Sequence, residues 1–565
     1  MTTQLRFRRI ALVRTLLWAT ACFSTQSNAA TLTVVSSADN NNPSTLRSAI
    51  AQANPLGGDI INFAPALNGS TFTLIQGELV INKDLTISGP GATQLSIVNG
   101  NGRVFHIELN NNNNNAPSHV QISGLRLQGK TSGADGTANT PAGQPAQGGA
   151  ILNDASCVLT LRDCDLDSCQ AIGGRGFSVT GPAFGPPASG GAGGGAGGGA
   201  IYSAGDLLLF GCTFYNDSAT GGNGGDGFQG GSGGGGGLAQ GGAVYQAYNG
   251  ADLAIVNCTF FANAAYGGYG GNGGDGYRNP TEANPANGGP GGDGGPAQGG
   301  GIYVVHSDID NTGLIHSTVD QNACFPGGGG QGGSGVFGGD PGAPGANGSA
   351  QGCGLYTAGM GIAALPVGDA IFAQNYSLAT AHPAGPDVWG EVSSHKYSLI
   401  GVLDANSSGW IAGFELSGTV ALPLDPRLGS LQFNGGQTQT MAPMAGSPAI
   451  DAGDQGGFPL DQAGQPRPVI LIGAMNGGDG SDIGAYELQS APTNSPLTIT
   501  ITPTATNTLL IAWPAPSTGF VLQENPTLGS SGWNDTTYTV NTVGTQKQVV
   551  VFPVFDQHFF RLFHP

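Results

Sequence analysis

The chain has 565 residues, of which 102 are glycine and only 9% are charged, and its formal net charge is −19 at pH 7. So acidic a surface disfavours binding to nucleic acid or to anionic membranes. The glycine is concentrated in blocks between well-patterned segments, which argues against a wholly disordered chain.

Residues 1–30 have the pattern of an export signal. Several arginines precede the mostly apolar Ala11–Phe23, and small residues allow cleavage after Ala29 or Ala30. We expect the mature chain to be exported, either extracellular or on the outer cell surface. Attachment as a lipoprotein through Cys22 is the less favoured alternative, because the residues before it match a lipobox poorly. No later apolar run is long enough to span a bilayer.

An N-terminal cap is predicted over 31–54. Thr31–Ser37 alternates apolar and other residues, as a strand does. Ser44–Ala53 predicts a short amphipathic helix with Ser44 as its N-cap. Such a helix would cover the open end of a stack of strands. Short alternating runs with Asn and Gly turns between them then continue to Leu127 and predict three to four turns of strands.

Five copies of a repeat fill 147–375. Each opens with a Gly-rich signal such as Gly-Gly-Ala-Val-Tyr and continues with short alternating runs, most clearly at Gln240–Ala265. One copy cannot bury its own apolar face, and the turns are too short for crossover helices, so the copies must stack. The pattern predicts an all-β protein whose residues 31–489 form a right-handed, single-stranded parallel β-helix with one coil per repeat.

Stacking the coils should place equivalent residues above one another in ladders. Two inward ladders are predicted: Cys164, Cys212, Cys258 and Ser317; and Leu166, Phe214, Phe260 and Val319. The cysteines should be buried thiols, with a Cys164–Cys169 or Cys324–Cys353 disulfide left open. Asn263, Asn322 and Asn375 are predicted to adopt left-handed turn geometry, which Asn tolerates.

Glycine-rich inserts separate the repeats and should all leave from one edge of the β-helix. They span Gly129–Ala146, Gly173–Gly197, Gly221–Ala239, Gly267–Ala297 and Gly327–Ala350. Their triplet-like pattern suits packed polyproline-II-like segments, and flexible loops are the alternative. Two stretches also match a calcium-binding nonapeptide, which makes Asp226 and Asp275 weak calcium candidates.

From Leu431 to Gln489 the chain becomes a dense block of polar turns. Asp451, Asp454 and Asp482 are candidate calcium ligands there. The favoured alternative is a final coil and cap tied by carboxylates around Arg467. A linker over 490–496 precedes 497–565, whose short alternating runs predict a small fibronectin-type-III-like β-sandwich.

Two sets of motifs resemble known families. GGAI at Gly148 and Gly198, with FFAN at Phe260, resembles the repeats of polymorphic outer membrane proteins. SPAIDAG, DQAGQPR and DIGAYE, within Ser447–Glu487, resemble the terminal part of bacterial choice-of-anchor Q domain proteins. These resemblances imply a pectate-lyase-like superhelix on an exported, adhesin-like surface or matrix protein. They imply no reaction.

The sequence favours a non-catalytic protein that binds extracellular polysaccharide or a cell-surface or matrix component. The first alternative is a glycoside hydrolase or lyase on the same fold, for which Asp163, Asp165 and Asp167 are the candidate catalytic residues. The second is a structural component of the envelope or matrix. We expect no organic cofactor, while calcium as a structural ion stays open.

Overall fold

The computed structural model describes residues 29–111, 113–181, 186–247, 251–277, 285–306, 313–359, 364–377, 385–471, 478–490, 499–504, 508–514, 520–527, 532–543, 546–551 and 559–563. The predicted export signal, apart from its last two residues, and residues 491–496 of the predicted linker lie outside these ranges. The chain divides into two compact units. The first comprises 1–426, 431–441 and 448–489, and the second comprises 427–430, 442–447 and 490–565.

Stacked parallel strands build the first unit, as expected of a right-handed parallel β-helix. Two stacks meet at Val388–Ser394. One contains Thr31–Val34, Asp59–Phe63, Leu85–Ser88, His119–Ser123, Val158–Arg162, Asp206–Phe210, Leu253–Val256, Gly313–Ile315 and Leu365–Gly368. The other contains Leu79–Ile81, Phe105–Ile107, Ile151–Asn153, Ile201–Ser203, Val244–Gln246, Ile302–His306 and Leu355–Gly359, and Val388–Ser394 also pairs with Ser407–Ser408.

Two further stacks share Arg126–Ser132. The first contains Ser70–Thr73, Leu95–Asn99, Asp165–Asp167, Thr213–Tyr215, Thr259–Phe261, Thr318–Asp320, Ile371–Ala373, Leu399–Ile400 and Leu416–Ser417. The second, called the groove sheet below, contains Gln170–Ile172, Ser218–Thr220, Ala264–Tyr266 and Ala323–Phe325. Two-residue strands where the inserts return form a fifth stack: Ala146–Gln147, Ala196–Gly197, Ala239–Gln240, Ala297–Gln298 and Ala350–Gln351.

The predicted inward ladders are confirmed. Thr213, directly after Cys212, pairs in register with Asp165 and Thr259 of the neighbouring coils, and the Cys212 N–H donates to Cys258 Sγ at 3.4 Å. Phe214 stacks on Phe260 with ring centroids 4.6 Å apart and planes 1° from parallel. All seven described cysteines are buried free thiols. Apolar side chains from successive coils therefore form one continuous core along the helix.

The predicted role of the asparagines is wrong. The left-handed residue is the one before each of them, for example Ala262 at φ 57° and Gln321 at φ 56°. The asparagine side chains are instead buried: Asn263 Nδ2 donates to Asn322 Oδ1 at 2.9 Å, and Asn322 Nδ2 to Asn375 Oδ1 at 3.0 Å. An inward amide satisfies buried backbone groups, which a turn residue facing solvent would not need to do.

The N-terminal cap is a short α-helix, Leu46–Gln52, followed by a 3-10 helix at Pro65–Leu67. The α-helix buries Leu46 and Ile50. Its N-cap is Thr45, whose hydroxyl accepts the Ser48 N–H, and not Ser44 as predicted. No helix in the described part of the chain is both long and apolar enough to cross a membrane.

The glycine-rich inserts form a packed bundle of extended segments. Outgoing segments lie beside one another in one layer, and returning segments lie beside one another in a second layer. N–H groups three residues apart donate from one layer to the other at 2.8 Å: Gly222 to the carbonyl of Gly194, and Gly225 to that of Gly191. Gly234 of the returning segment donates in turn to the carbonyl of Gly225, also at 2.8 Å. A three-residue period is that of polyproline-II geometry. The described segments are thus the packed alternative and not flexible loops.

Close approach of the layers requires glycine at the facing positions. A Cβ on Gly224 of an outgoing segment would lie 1.9 Å from the carbonyl oxygen of Gly234 of a returning one, and a Cβ on Gly193 would lie 1.9 Å from that of Gly222. Side chains occupy remaining positions of the triplets, as at Asn223 and Asp226, and these two accept backbone N–H groups of the next outgoing segment.

The terminal block, residues 431–441 and 448–489, lies against the outer face of the coils. Thr213 Oγ1 donates to the carbonyl of Gln439 at 2.6 Å, and Thr259 Oγ1 donates to Gln462 Oε1 at 2.7 Å. These threonines occupy equivalent positions in successive coils. The block therefore covers one face of the β-helix along several coils.

The second unit contains two antiparallel sheets. One contains Thr500–Pro503, Leu509–Pro514, Asn541–Val543 and Gln546–Val551, and the other contains Val521–Asn525, Asn534–Asp535 and Phe559–Phe563. Ile511, Trp513, Leu522, Val549 and Val551 are buried between them. This is the arrangement of a small β-sandwich.

Candidate functional site

A groove of about 540 Å³ crosses the outer face of four successive coils. It lies where the groove sheet meets the outgoing layer of the glycine bundle. It is lined by Gln170, Ile172, Asn216, Asp217, Ser218, Thr220, Gly221, Asn223, Ala262, Ala264, Tyr266, Gly267, Tyr269, Phe325 and Pro326. The groove therefore belongs to the first unit alone and runs from coil to coil.

Alternation along the groove sheet determines which side chains reach the groove. Ala219 and Ala265 point inward into a small core of alanines. Their neighbours Ser218, Thr220 and Tyr266 consequently point outward, because successive residues of a strand face opposite sides. The same alternation brings hydroxyl and aromatic side chains from separate coils into adjacent positions.

Aromatic rings form one wall of the groove. Tyr266 stacks on Phe325 with ring centroids 4.8 Å apart. Tyr215 stacks on Phe261 at 5.9 Å, and each of these two immediately precedes a lining residue in the chain. Tyr266 is 41% exposed. Exposed aromatic surface with hydroxyl and amide groups close by is typical of ligand sites.

Tyr269 is the most exposed aromatic residue of the groove, at 63%. It projects from the glycine bundle, and its N–H donates to Asn223 Oδ1 of the preceding outgoing segment at 3.0 Å. A Cβ on Gly328 would lie 3.4 Å from the Tyr269 ring, so the ring rests over this glycine of the next segment. One side of the ring is supported, and much of the rest is open to solvent.

Asp217 is the only acidic or basic residue among the described lining residues, and its side chain is buried. Its Oδ1 accepts the Cys169 N–H at 2.7 Å, and its own N–H donates to Asn263 Oδ1 at 2.9 Å. Burial raises the pKa of this carboxyl well above its usual value. Asp217 thus continues the buried asparagine ladder and offers no exposed charge to a ligand.

The candidate catalytic carboxylates have three different environments. Asp165 is 5% exposed, and burial raises its pKa to about 6. Asp167 forms an ion pair with Arg126. Asp163 lies in the turn before them at φ 52°, and burial raises its pKa as well. The structure brings Asp165 and Asp167 to one face of a strand, but none of the three lines the groove.

The calcium candidates in the inserts are used in the bundle itself. Asp226 Oδ1 accepts the N–H of Asn272 in the next outgoing segment at 2.7 Å, and Asp275 Oδ1 accepts that of Ser334 at 2.7 Å. Asn223 does the same for Tyr269. Each of these side chains joins one insert to the next.

The candidates in the terminal block bind backbone N–H groups in the same way. Asp451 accepts the Leu471 N–H through both carboxylate oxygens, at 3.0 and 2.9 Å. Asp482 Oδ1 accepts the Asp451 N–H at 2.9 Å, and Asp454 Oδ1 accepts the Gly456 N–H at 2.8 Å. These contacts fix the chain path of the block.

A buried ion pair completes the block. Arg467 Nε lies 3.2 Å from Glu487 Oε2, and both side chains are fully buried. The structure thus pairs Arg467 with one carboxylate of the block, and Arg467 Nη2 donates to the carbonyl of Gly484 at 3.0 Å. Among the described residues, no three His, Cys, Asp or Glu side chains are grouped so that they could hold a metal ion.

No family model and no curated protein matches the chain. Among solved structures it is similar to the crystal structure of pectate lyase Pel9A, with 14% identity, 83% of this chain and 98% of that chain covered, and a TM-score of 0.24. So low a score carries no argument about activity. The fold rests on the parallel register of the strands described above.

The groove was not predicted from the sequence. Its aromatic residues lie in separate repeats and in a glycine-rich insert, and only stacking brings them together. A usable signal was present, because Tyr266 and Phe325 occupy the same outward position of successive coils. Aromatic residues repeated at an outward position have no core to fill and so indicate a surface role.

Proposed function

We propose that this protein binds extracellular polysaccharide through the groove and does not degrade it. The observation that carries the proposal is the aromatic wall formed by Tyr266, Phe325 and Tyr269 beside the hydroxyl and amide groups of Ser218 and Asn223. Sugars present apolar C–H faces to aromatic rings and hydroxyls to polar side chains, so this combination suits them.

Export to the cell surface or the extracellular space belongs to the same proposal and rests on the N-terminal pattern of residues 1–30. The terminal block is proposed as a choice-of-anchor Q-like domain, and the second unit as a fibronectin-type-III-like module. Both proposals rest on sequence motifs and strand pattern.

The test is retention of the purified mature protein on a panel of insoluble and gel-embedded polysaccharides. Tyr266→Ala and Tyr269→Ala should each weaken retention by about tenfold, the factor that corresponds to roughly 1.4 kcal/mol. Phe433→Ala is the matched control, because Phe433 is 48% exposed and does not line the groove. Unchanged retention in both tyrosine variants would contradict the proposal.

The same incubations separate binding from degradation. New reducing or unsaturated ends would favour the hydrolase or lyase alternative and make Asp165 and Asp167 the first residues to replace. Assembly of the protein with itself on adding calcium, without retention on any polysaccharide, would favour the structural alternative.

A further inference from the structure

We infer that the ligand of the groove is a neutral polysaccharide that lies along the axis of the β-helix. This inference rests on the proposed function and specifies its ligand. It comes from two independent features of the groove: the coils that contribute to it, and the charges in and around it.

The direction follows from the order of the lining residues. They come from four successive coils: 170–172, 216–223, 262–269 and 325–326. Parallel neighbours lie about 4.8 Å apart, so these coils span about 14 Å across three steps. A groove built in this way presents side chains of successive coils at regular steps along the axis, which an extended linear polymer can follow from coil to coil.

The absence of cations from the groove excludes strong recognition of acidic sugars. None of the described lining residues is Lys, Arg or His. Between Thr131 and His395 the sequence has no lysine and three arginines, Arg162, Arg175 and Arg278, and Arg278 lies outside the described residues. The Arg162 guanidinium lies 4.3 Å from the centre of the Phe210 ring, on a different sheet from the groove.

Exposed charges of both signs lie near the groove: Lys130 is the register neighbour of the lining residue Gln170, and Arg175 follows the lining residue Ile172 by three residues. Asp226 and Asp275 lie on the same outgoing segments as the lining residues Asn223 and Tyr269. The chain as a whole is acidic, with a formal charge of −19, but the lining residues themselves present no exposed charge. A carboxylated or sulfated polymer would therefore find no ion-pair partner among the lining residues, whereas a neutral hydroxyl-rich chain needs none.

Position 218 offers a direct way to test the charge argument. Ser218 lines the groove, and the strand register places Gln170 and then Lys130 at the same position of the two preceding coils. A lysine is therefore already accommodated at this position of the ladder. Ser218→Lys should place a cation in the groove with little disturbance of the coil, and Ser218→Gln is the matched uncharged control.

The experiment compares neutral and acidic polysaccharides, and oligosaccharides of increasing length, for binding to the full mature chain at low and high salt. We expect retention on neutral polymers that changes little with salt, affinity that rises with oligosaccharide length, and no retention on polyuronates. Ser218→Lys should gain salt-sensitive retention on polyuronates, and Ser218→Gln should not.

The outcomes separate this inference from the proposed function. Stronger parental binding to polyuronates than to neutral polymers, lost in Tyr269→Ala, would overturn the neutral-ligand inference and keep the groove as the site. Affinity independent of ligand length would overturn the axial arrangement. Binding that is unchanged in Tyr266→Ala and Tyr269→Ala, or no binding to any polysaccharide, would overturn the proposed function itself.

Discussion

Replacing Gly234 by alanine tests whether the inserts form a packed bundle. The new Cβ would lie 1.9 Å from the Gly191 oxygen, against 3.4 Å for an ordinary contact, so the two segments must separate by about 1.5 Å. Such a shift would break or weaken the 2.8 Å hydrogen bonds of Gly234 to Gly225 and of Gly225 to Gly191. Overpacking costs about 1–3 kcal/mol, and each lost hydrogen bond about 0.5–1.5 kcal/mol.

Gly235→Ala is the matched control in the next residue. Its Cβ would have the Asp293 oxygen as nearest neighbour, at 3.7 Å, and should fit without movement. Alanine there should be neutral or stabilise by about 0.4–1 kcal/mol, because it restricts the unfolded chain.

The assay is hydrogen exchange followed by mass spectrometry, because stacked repeats need not unfold in one step. Gly234→Ala should speed exchange in peptides covering 173–197 and 221–239, while peptides from the first coils stay protected. Gly235→Ala should leave all of these peptides as in the parent. Equal protection from exchange in the two variants would refute the packed bundle and favour the interpretation of the inserts as flexible loops.

Three further predictions concern buried and half-buried groups. Asp217→Asn should raise the free energy of unfolding at pH 7 by about 1–3 kcal/mol, because burial raises the folded-state pKa of Asp217 and an amide could donate as Asn263 does. In urea titrations the gain should shrink as the pH falls towards and through the ordinary Asp pKa of 3.8, below which the acid is protonated in both states. Burial disfavours charging of His106, but its hydrogen bonds to Glu78 and Asp154 outweigh burial and raise the pKa of His106 above 6.5. The stability that charged His106 contributes should be complete below about pH 6.5 and lost as the pH rises through the folded-state pKa. His106→Gln should flatten that pH dependence in hydrogen exchange measured on the first coils. Thiol titration should detect no described cysteine in the native protein and all seven in denaturant, and a lower count in denaturant would reveal a disulfide.

The β-helix could be predicted because its repeat specifies the inward positions. Once Phe214 and Phe260 are aligned, the register of every neighbouring strand in those coils follows. The turn conformations could not be predicted from residue preference alone. Residue preference predicts left-handed geometry at Asn263, but Ala262 adopts it. The reason is that the coil needs the Asn263 amide at an inward position, where it bonds to Asn322.

The groove could not be predicted, because it depends on two layers meeting. Tyr266 comes from a strand and Tyr269 from an insert, and their common surface exists only if the insert packs immediately beside that strand. The sequence left open whether the inserts pack. The groove could therefore not be predicted for the same reason as the glycine bundle: the sequence does not decide whether the inserts pack.

The inserts matter for the proposed binding because they fix the position of the groove wall. Tyr269 is held by the Asn223 side chain on one side and rests over Gly328 on the other, and both partners belong to the bundle. A flexible loop would have to lose conformational freedom on binding, at about 1–2 kcal/mol per ordered residue, and a packed segment has already lost it. The glycine content, which at first suggests disorder, is thus the feature that makes a preorganised binding surface possible on this fold.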